Sequence, residues 1–366
     1  MQKIEDFRDI RGRRHDLSLV LVNFLLALLR CSSPSSLSAV HRQMVRQHDR
    51  LCGDLGLPAQ PCISGVQLRR VLSGLDWDSY NTLNERYLSV SVGSASGAWC
   101  ALDGKELKGN IDGVAGQRRG LNLVRALCHE GKESTVVGFY DGSKKSEKTT
   151  VINYLEDHLT PGAGYSMDAL HTSCGLLRFM HIGGAVYLAQ VKANQKLLME
   201  ALQEYHLHWP PAWGHQECEK GHGRVETRKA YAYSLEGTME EKWQQAGLQT
   251  LMAVERTRLR VKDGKQSSET AFFVSNKALA PETAMELFRA VRNHWAIEAD
   301  HWVRDVTFGE DRMRCSCPKR AKGMASVLNT ALNIIRKNNT LGSIQLFREQ
   351  ISEDWGKALS CLRKQT

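Results

Sequence analysis

Short apolar segments alternate with helical ones between residues 96 and 198, and their order restricts the fold more than any other feature of the chain. Three apolar segments come first, "GAWCALDG", "LNLVRALCHE" and "STVVGFYDG", with glycine-containing breaks between them. A segment of helical periodicity, a fourth apolar strand, a second helix and a fifth strand follow. This order predicts an α/β fold, with a mixed sheet and helices on its faces.

The segments on either side of this α/β layer have different patterns of apolar and polar residues. The chain before residue 90 is helical in pattern, with serine residues such as Ser64 at the predicted helix starts. This part is a candidate for DNA binding or for packing alone. Alternating apolar and polar residues predict a β-rich insertion, and a long helix over 282–304 follows it. The predicted divisions are a helical domain at 1–92, the α/β layer at 96–205, the insertion at 206–280, the last part of the layer at 281–340 and a C-terminal tail at 341–366.

The most apolar segment of the chain predicts a buried helix and not a membrane span. "LSLVLVNFLLALL", residues 17–29, is shorter than the stretch of about 20 apolar residues that a bilayer requires. Ten cysteines are scattered without a repeating frame, which is typical of reduced thiols and not of a disulfide scaffold. We therefore expect a cytoplasmic protein with no membrane partner.

The charge of the chain favours a polyanionic partner. There are 49 Lys and Arg residues against 40 Asp and Glu, a formal net charge of +9. Seven of these basic residues and no acid lie between Arg312 and Lys337. Such a stretch indicates either a phosphate-facing surface or an ordinary solvated helix face, and composition alone leaves both open.

Three acids are candidates for a catalytic centre. Asp103 and Asp168 each end a short apolar strand, and Glu298 lies on the last long helix. Carboxylates at neighbouring strand ends and on a helix can form a compact triad that holds two divalent ions. Oxygen ligands favour Mg²⁺ or Mn²⁺ over zinc. Taken singly, an Asp at a strand end is more often a turn residue than a catalytic one.

The helix that carries Glu298 has an unusual composition, "VRNHWAIEADHWVRDV". On a continuous helix His294, Glu298, His301 and Asp305 recur at spacings of four, three and four, so they would share one face. This face indicates either a catalytic or metal-binding carboxylate with supporting groups, or a satisfied polar patch between two packed tryptophans.

Five segments in fixed order carry a resemblance to a known family. "ALDGKELKG", "SMDALHT", "VYLAQVKANQKLL", "GHGRVETR" and "VRNHWAIEADHWVRDVTFGEDRMR" resemble the successive motifs of DDE transposases of the H-repeat-associated type of bacterial insertion sequence. The resemblance covers about residues 5–340. It implies a ribonuclease-H-like catalytic core with a β-rich insertion, preceded by a small helical domain.

The same resemblance implies an activity and its partners. The protein would be a DNA transposase that cuts at the ends of its element and joins the freed 3′-hydroxyl to target DNA. Its partners would be the terminal inverted repeats and the target, with a homodimer assembled on DNA. Asp103, Asp168 and Glu298 take the places of the DDE triad, as catalytic residues and as ligands of two Mg²⁺ or Mn²⁺ ions per site.

Further residues receive supporting or DNA-binding roles. The groups expected to orient Glu298 or to meet DNA are His294, Trp295, His301 and Asp305, although the tryptophans on such a helix are expected mainly as packing anchors. Contacts to DNA phosphates are the expected role of a second set, with solvated turns and fold-specific hydrogen bonds as the alternative. This set comprises Lys105, Lys192, Asn194, Gln195, His222, Arg224, Arg228, Arg292, Arg312, Arg314, Lys319 and Arg320.

The sequence departs from the family pattern in two places. The family usually has three residues between the glutamate and the second His-Trp pair, whereas only two stand between Glu298 and His301 here. A one-residue deletion turns the following helix by about 100°. "CSCPKR" also stands where a helix start rich in Gly and Asn is usual. These changes leave open a repurposed or decayed DNA-binding protein, a metal-dependent nuclease without strand transfer, and Asp300 as an alternative third acid.

Overall fold

The chain folds around one large sheet with helices on both of its faces. The computed structural model describes residues 3–31, 36–88, 90, 93, 96–110, 121–140, 143–221, 223–315 and 317–363.

Four helices precede the sheet, and three of them begin at a capping side chain. They are α1 (Leu17–Arg30), α2 (Leu37–Asp54), α3 (Gly65–Gly74) and α4 (Trp77–Leu88). The side chains of Asp16, Ser36 and Ser64 accept hydrogen bonds from backbone N–H groups in the first turns of α1, α2 and α3. Helix α1 is buried along almost all of its length, as the apolar run predicted. In the described part of the chain, no helix is long and apolar enough to cross a membrane.

In the described residues, nine strands form a single mixed sheet in the order β3-β2-β1-β4-β5-β9-β8-β7-β6. Strands β1, β4 and β5 run parallel to one another and every other pairing is antiparallel. The mixed sheet agrees with the prediction. The predicted insertion is not a separate layer, because its strands continue the same sheet through the pairing of β5 with β9. The strands are β1 (Trp99–Leu107), β2 (Leu121–Cys128), β3 (Ser134–Tyr140), β4 (Gly164–Met167), β5 (Val186–Val191), β6 (Trp213–Gly221), β7 (Arg224–Ser234), β8 (Thr250–Arg260) and β9 (Gln266–Ser275).

Alternation along the strands divides the core between the two faces. Cys100 and Leu102 of β1 pack with the helices between β3 and β9, whereas Ala101 and Leu107 pack with the helices that follow β9. The first group is α5 (Lys144–His158), α6 (Cys174–Ile182), α7 (Lys196–His208) and α8 (Glu241–Gln245). The second group is α9 (Pro281–His294), α10 (Ala296–Val306) and α11 (Pro318–Asn338).

Two predicted elements differ from the structure. The single long helix predicted over 282–304 is interrupted at Trp295, which separates α9 from α10. The predicted tail at 341–366 contains two helices, α12 (Ile344–Glu353) and α13 (Trp355–Ser360). Phe347 and Ile351, four residues apart, face the core and join Trp355 in the apolar cluster around α1. The C-terminal segment therefore completes the N-terminal helical cluster.

Candidate active site

The register of two parallel strands brings two of the predicted acids together. Leu102 of β1 lies opposite Met167 of β4 in the sheet. The next residues, Asp103 and Asp168, therefore occupy adjacent positions on strands that are about 4.8 Å apart. Asp168 directly follows β4, as predicted, and its Oδ1 accepts a hydrogen bond of 3.0 Å from Leu170 N–H. Asp103 does not end its strand, because β1 continues to Leu107 and pairs with β2 over that length.

Burial and neighbouring acids disfavour the ionised form of Asp103. Burial raises the pKa of Asp103 to about 7, and the nearby charges of Asp168 and Glu147 contribute to that shift. The backbone N–H of Gly104 opposes this shift by donating a hydrogen bond of 2.9 Å to Asp103 Oδ1. Acids held this close repel one another in their ionised forms, and a divalent cation would relieve that repulsion.

Helix α10, which carries Glu298, packs against β1 beside Asp103. Ile297 is buried against Ala101 of β1, and His301 Nδ1 lies 3.7 Å from Asp103 Oδ2. Glu298 is three residues before His301, a spacing that places the two side chains on neighbouring turns of one helix face. The Glu298 side chain is exposed.

Glu298 faces basic groups in this structure. Burial of its carboxyl group raises the pKa of Glu298, whereas the positive charges of Lys192 and Arg256 lower it. Lys192 follows β5 directly, and Arg256 lies on β8. Within the residues that the structure describes, no three His, Cys, Asp or Glu side chains are grouped so that one metal ion could be held by all of them. The chemistry of the two aspartates fits a hard divalent cation, which prefers carboxylate oxygens.

His294 supports strand β4 and not Glu298. Its Nδ1 lies 2.9 Å from Ser166 Oγ, and the same hydroxyl lies 3.0 Å from His129 Nε2. Burial lowers the pKa of His294 to about 4 and that of His129 to about 3. Both rings are therefore neutral at pH 7. Ser166 is two residues before Asp168, so this pair of hydrogen bonds fixes the strand that positions the second acid.

The two other polar groups predicted around Glu298 have different partners. Burial lowers the pKa of His301 to about 3, with a further contribution from the charge of Arg125, so His301 meets Asp103 as a neutral ring. Asp305 accepts a hydrogen bond from Lys105 Nζ, which also lies 3.5 Å from Glu310. Asp305 thus orients Lys105. The Lys105 side chain is nearly buried among acids and does not face solvent.

The expectation that the two tryptophans are packing anchors is wrong. The side chains of Trp295 and Trp302 are 43% and 61% exposed. Trp295 stands at the break between α9 and α10, with the Arg256 guanidinium 5.4 Å from its ring centroid. Trp302 is two residues from each of the buried residues Asp300 and Arg304, about 200° around the helix, so its side chain lies on the side of α10 away from the buried face.

Asp300 is a structural acid and not the third acid of the site. It is buried, and its oxygens lie 2.7 Å from Arg304 and 2.7 Å from Arg336. Burial opposes ionisation, but the two guanidinium groups hold the pKa of Asp300 well below its usual range. The sequence alternative of Asp300 in place of Glu298 is therefore contradicted by its position in this ion network.

A family comparison agrees with this geometry. The family model described as a transposase DDE domain matches residues 100–334, which is more than half of the chain. The chain belongs to the DDE-domain transposases. The matched segment contains both aspartates, the insertion, Glu298 and most of α11.

Three relatives extend the likeness over nearly the whole chain. "Putative transposase YncI" of Escherichia coli O157:H7 is 26% identical over 313 residues, 82% of this chain and 76% of that protein. "H repeat-associated putative transposase YhhI" of Escherichia coli K12 is 24% identical over 348 residues, 91% of this chain and 88% of that protein. "Putative protein YbfL" of the same strain is 25% identical over 348 residues, which are 91% of this chain and 88% of that protein.

Two of the residues predicted to bind DNA, Asn194 and Gln195, make side-chain hydrogen bonds within the fold. Asn194 Nδ2 donates to Ala169 O at 2.6 Å, and Gln195 Nε2 donates to Thr172 O at 2.9 Å. Both amides therefore hold the loop after Asp168, which is the fold-specific alternative for these two residues.

The predicted arginines of the insertion and α9 are paired with acids. Arg228 contacts Glu219 at 3.1 Å and also Glu226, and Arg292 contacts Glu219 at 2.7 Å. Arg224 is half-exposed beside Glu226. These arginines are therefore at least partly neutralised before any DNA approaches.

The basic residues around the start of α11 remain available to an anion. Arg312, Arg314 and Lys319 are exposed and Arg320 is half-buried. None of the four makes a side-chain ion pair with the described part of the chain. His222, the remaining predicted DNA-binding residue, lies outside the described residues.

Sequence reasoning missed three groups at the site. Glu147, in the first turn of α5, acts on the charge of Asp103, and His171 lies beside Glu147. Arg256 faces Glu298 from β8. His171 was detectable in "SMDALHT" as a histidine three residues after Asp168. Glu147 and Arg256 gave no local signal, because each is brought to the site by packing between distant elements.

Replacing Asp103 by Asn should change the pH dependence of stability. The folded chain protonates Asp103 near pH 7 and the unfolded chain near 3.8, so the folded state binds more protons between these values. Folding thus favours the protonated form of Asp103. The free energy of unfolding therefore falls as pH rises from about 3.8 to about 7. Asp103→Asn should leave stability at pH 4 nearly unchanged and, without divalent ions, increase the free energy of unfolding at pH 8 by a few kcal/mol, since each pKa unit corresponds to about 1.4 kcal/mol.

Urea unfolding followed by tryptophan fluorescence in chelator measures this difference. Asp157→Asn, an exposed substitution on α5, serves as the matched control. Equal effects of Asp103→Asn at the two pH values would contradict the raised pKa of Asp103.

Proposed function

We propose that the protein is the DNA transposase of an insertion sequence, which cleaves at element ends and joins the freed 3′ ends to target DNA. Asp103, Asp168 and Glu298 are its catalytic and metal-ligating residues. The observation that carries the proposal is the in-register placement of Asp103 and Asp168 on parallel strands, beside a helix that delivers Glu298. Membership of the DDE-domain family supports the same assignment.

Each residue has a defined task in this proposal. Two Mg²⁺ or Mn²⁺ ions, when bound, would supply activation of the attacking oxygen and stabilisation of the leaving oxygen. Asp103 and Asp168 would hold these ions from the sheet. Glu298 would complete the site from α10, with its exposed side chain free to turn towards the aspartates. Lys192 and Arg256, whose charges act on Glu298, are suited to hold a DNA phosphate next to the ions, although Arg256 also pairs with Glu269.

The topology supports a ribonuclease-H-like core as part of the proposal. Strand β1 is central, with β2 and β3 antiparallel on one side and β4 and β5 parallel on the other. We propose the same domain divisions as the sequence predicts, with one change. The segment after residue 341 packs with the N-terminal helical cluster. A homodimer on DNA, with two element ends held together, and a cytoplasmic location also belong to this proposal.

A DNA-binding protein with impaired cleavage is the second candidate. It is favoured by the charges of Lys192 and Arg256, which act on Glu298, together with the absence of a three-ligand group among the described residues. The deletion between Glu298 and His301 points the same way. A nuclease without strand transfer is a third outcome, in which cleaved ends never become joined.

Replacing Glu298 by Gln tests the proposed function. The change preserves the shape of the side chain but removes the charge needed to hold a cation. Cleavage of labelled element ends with Mg²⁺ or Mn²⁺ should fall at least about a hundredfold, the scale of losing one charge-stabilising group in an active site. Binding of the same DNA in gel shift should stay close to that of the parent.

The matched control is Glu282→Gln, an exposed acid in the first turn of α9. It should cleave like the parent. A parent protein that binds ends but never cuts them would establish the DNA-binding candidate, and a Glu298→Gln variant that cuts normally would remove Glu298 from the triad.

Salt dependence tests the DNA surface around the start of α11. Arg312→Ala and Arg314→Ala together remove two exposed cations that have no side-chain ion pair within the described chain. The slope of log affinity against log salt should become shallower by about 0.9 for each DNA phosphate that is no longer neutralised. The decrease in affinity should be similar for end and non-end DNA, because phosphate contacts carry no sequence information.

Lys196→Ala with Lys242→Ala provides the control, since these exposed lysines already pair with acids at 3.7 and 2.7 Å. A slope that the arginine substitutions leave unchanged would place the DNA on another face of the protein.

A further inference from the structure

The Glu147 carboxylate lies against strand β1 at Gly104, the residue after Asp103. Gly104 follows Asp103, and a Cβ atom at that position would collide with Glu147 Oε1 and with the Tyr140 hydroxyl. The φ angle of Gly104 is not in the left-handed region, so a glycine is needed here for space and not for backbone conformation. The missing side chain therefore admits the Glu147 carboxylate to the strand that carries the first catalytic acid.

Two side chains, Tyr140 and His171, contact the Glu147 carboxylate. Tyr140 donates its hydroxyl hydrogen to Glu147 Oε2 at 2.8 Å, and His171 Nε2 lies 3.3 Å from Glu147 Oε1. Burial opposes ionisation of Glu147, but His171 and Tyr140 together lower its pKa, so the carboxylate is charged at neutral pH.

His171 gives an independent indication of a ligand-binding position. Its side chain is completely buried and stands three residues after Asp168. Neither ring nitrogen meets hydrogen-bond geometry with any described residue, in spite of the approach to Glu147. Buried polar groups normally have partners, so the two unsatisfied ring nitrogens of His171 mark a place beside Glu147 where a further polar group is expected.

We propose that Glu147 is a further ligand of the divalent-cation site built on Asp103 and Asp168. This inference rests on the proposed function and adds a fourth acid to its triad. The carboxylate turns from His171 towards the aspartates when the ion is present, because the present arrangement of the described residues contains no three-ligand group. His171 and Tyr140 then act as supports that orient Glu147 from behind, as is usual for ligating carboxylates.

This assignment explains why a helix start, a glycine and a buried histidine converge at one point. Glu147 lies in the first turn of α5, whose N-cap is Ser143, so the rigid helix end fixes its position relative to β1. Glu298 comes from the opposite face of the sheet on α10. Acids would thus reach the Asp103–Asp168 pair from both faces.

Binding of Mn²⁺ to the full-length protein, counted by electron paramagnetic resonance, tests the inference without relying on activity. Glu147→Gln should weaken Mn²⁺ binding at least about tenfold, since even outer partners of metal ligands contribute that much to affinity. Glu147→Asp keeps the charge but shortens the reach, and it should also bind Mn²⁺ more weakly than the parent. Glu156→Gln, an exposed acid on the same helix, is the matched control and should bind normally.

The variants separate the possible outcomes. Parent-like Mn²⁺ binding by Glu147→Gln overturns the inference, and parent-like binding by Glu147→Asp reduces Glu147 to a charge acting through space, which also overturns it. Circular dichroism verifies folding, and Glu147→Asp carries the test if Glu147→Gln fails to fold. Loss of binding in Asp103→Asn but not in either Glu147 variant leaves the proposed function intact while this inference fails. A parent that binds no Mn²⁺ overturns both.

Discussion

The parallel pairing of β1 with β4 is the interaction on which the rest of the site depends. A slip of one residue would turn every side chain of β4 to the other face and separate Asp168 from Asp103. The register is fixed by packing at the start of the pair, where Trp99 lies opposite Gly164 and its indole occupies the space that a Cβ there would fill. Trp99 is held in turn by a hydrogen bond of 2.9 Å to Glu286 of α9.

A buried ion network gives the second constraint, because it ties α10 to the sheet. Arg304 of α10 bonds Asp300 and also donates to Ser134 Oγ of β3 at 2.7 Å, while Arg336 of α11 bonds the other oxygen of Asp300. Removing one partner of such a network typically costs about 3–5 kcal/mol, since a buried charge is left unpaired. The network therefore fixes the helix whose opposite, exposed side carries Glu298.

Sequence patterns predicted the order of the elements because that order depends on local signals, whereas Asp103 lies within its strand and not at the predicted strand end. The order of strands and helices follows from apolar periodicity, and Asp168 follows its strand as expected. The exposed tryptophans, the break at Trp295 and the α12–α13 helices were missed or misjudged. These features depend on how α9, α10 and the C-terminal segment pack, and no short window of sequence contains that information. The pairing of Lys105 with Asp305, 200 residues away, was unpredictable for the same reason.

In the proposed site, Asp103 and Asp168 share a divalent cation where β4 ends beside β1. The most direct measurement is the anomalous scattering of Mn²⁺ in crystals of the protein bound to DNA containing its element ends. We predict a peak within coordination distance of both carboxylates. Well-ordered DNA at the site with every Mn²⁺ peak away from the two aspartates would contradict the account.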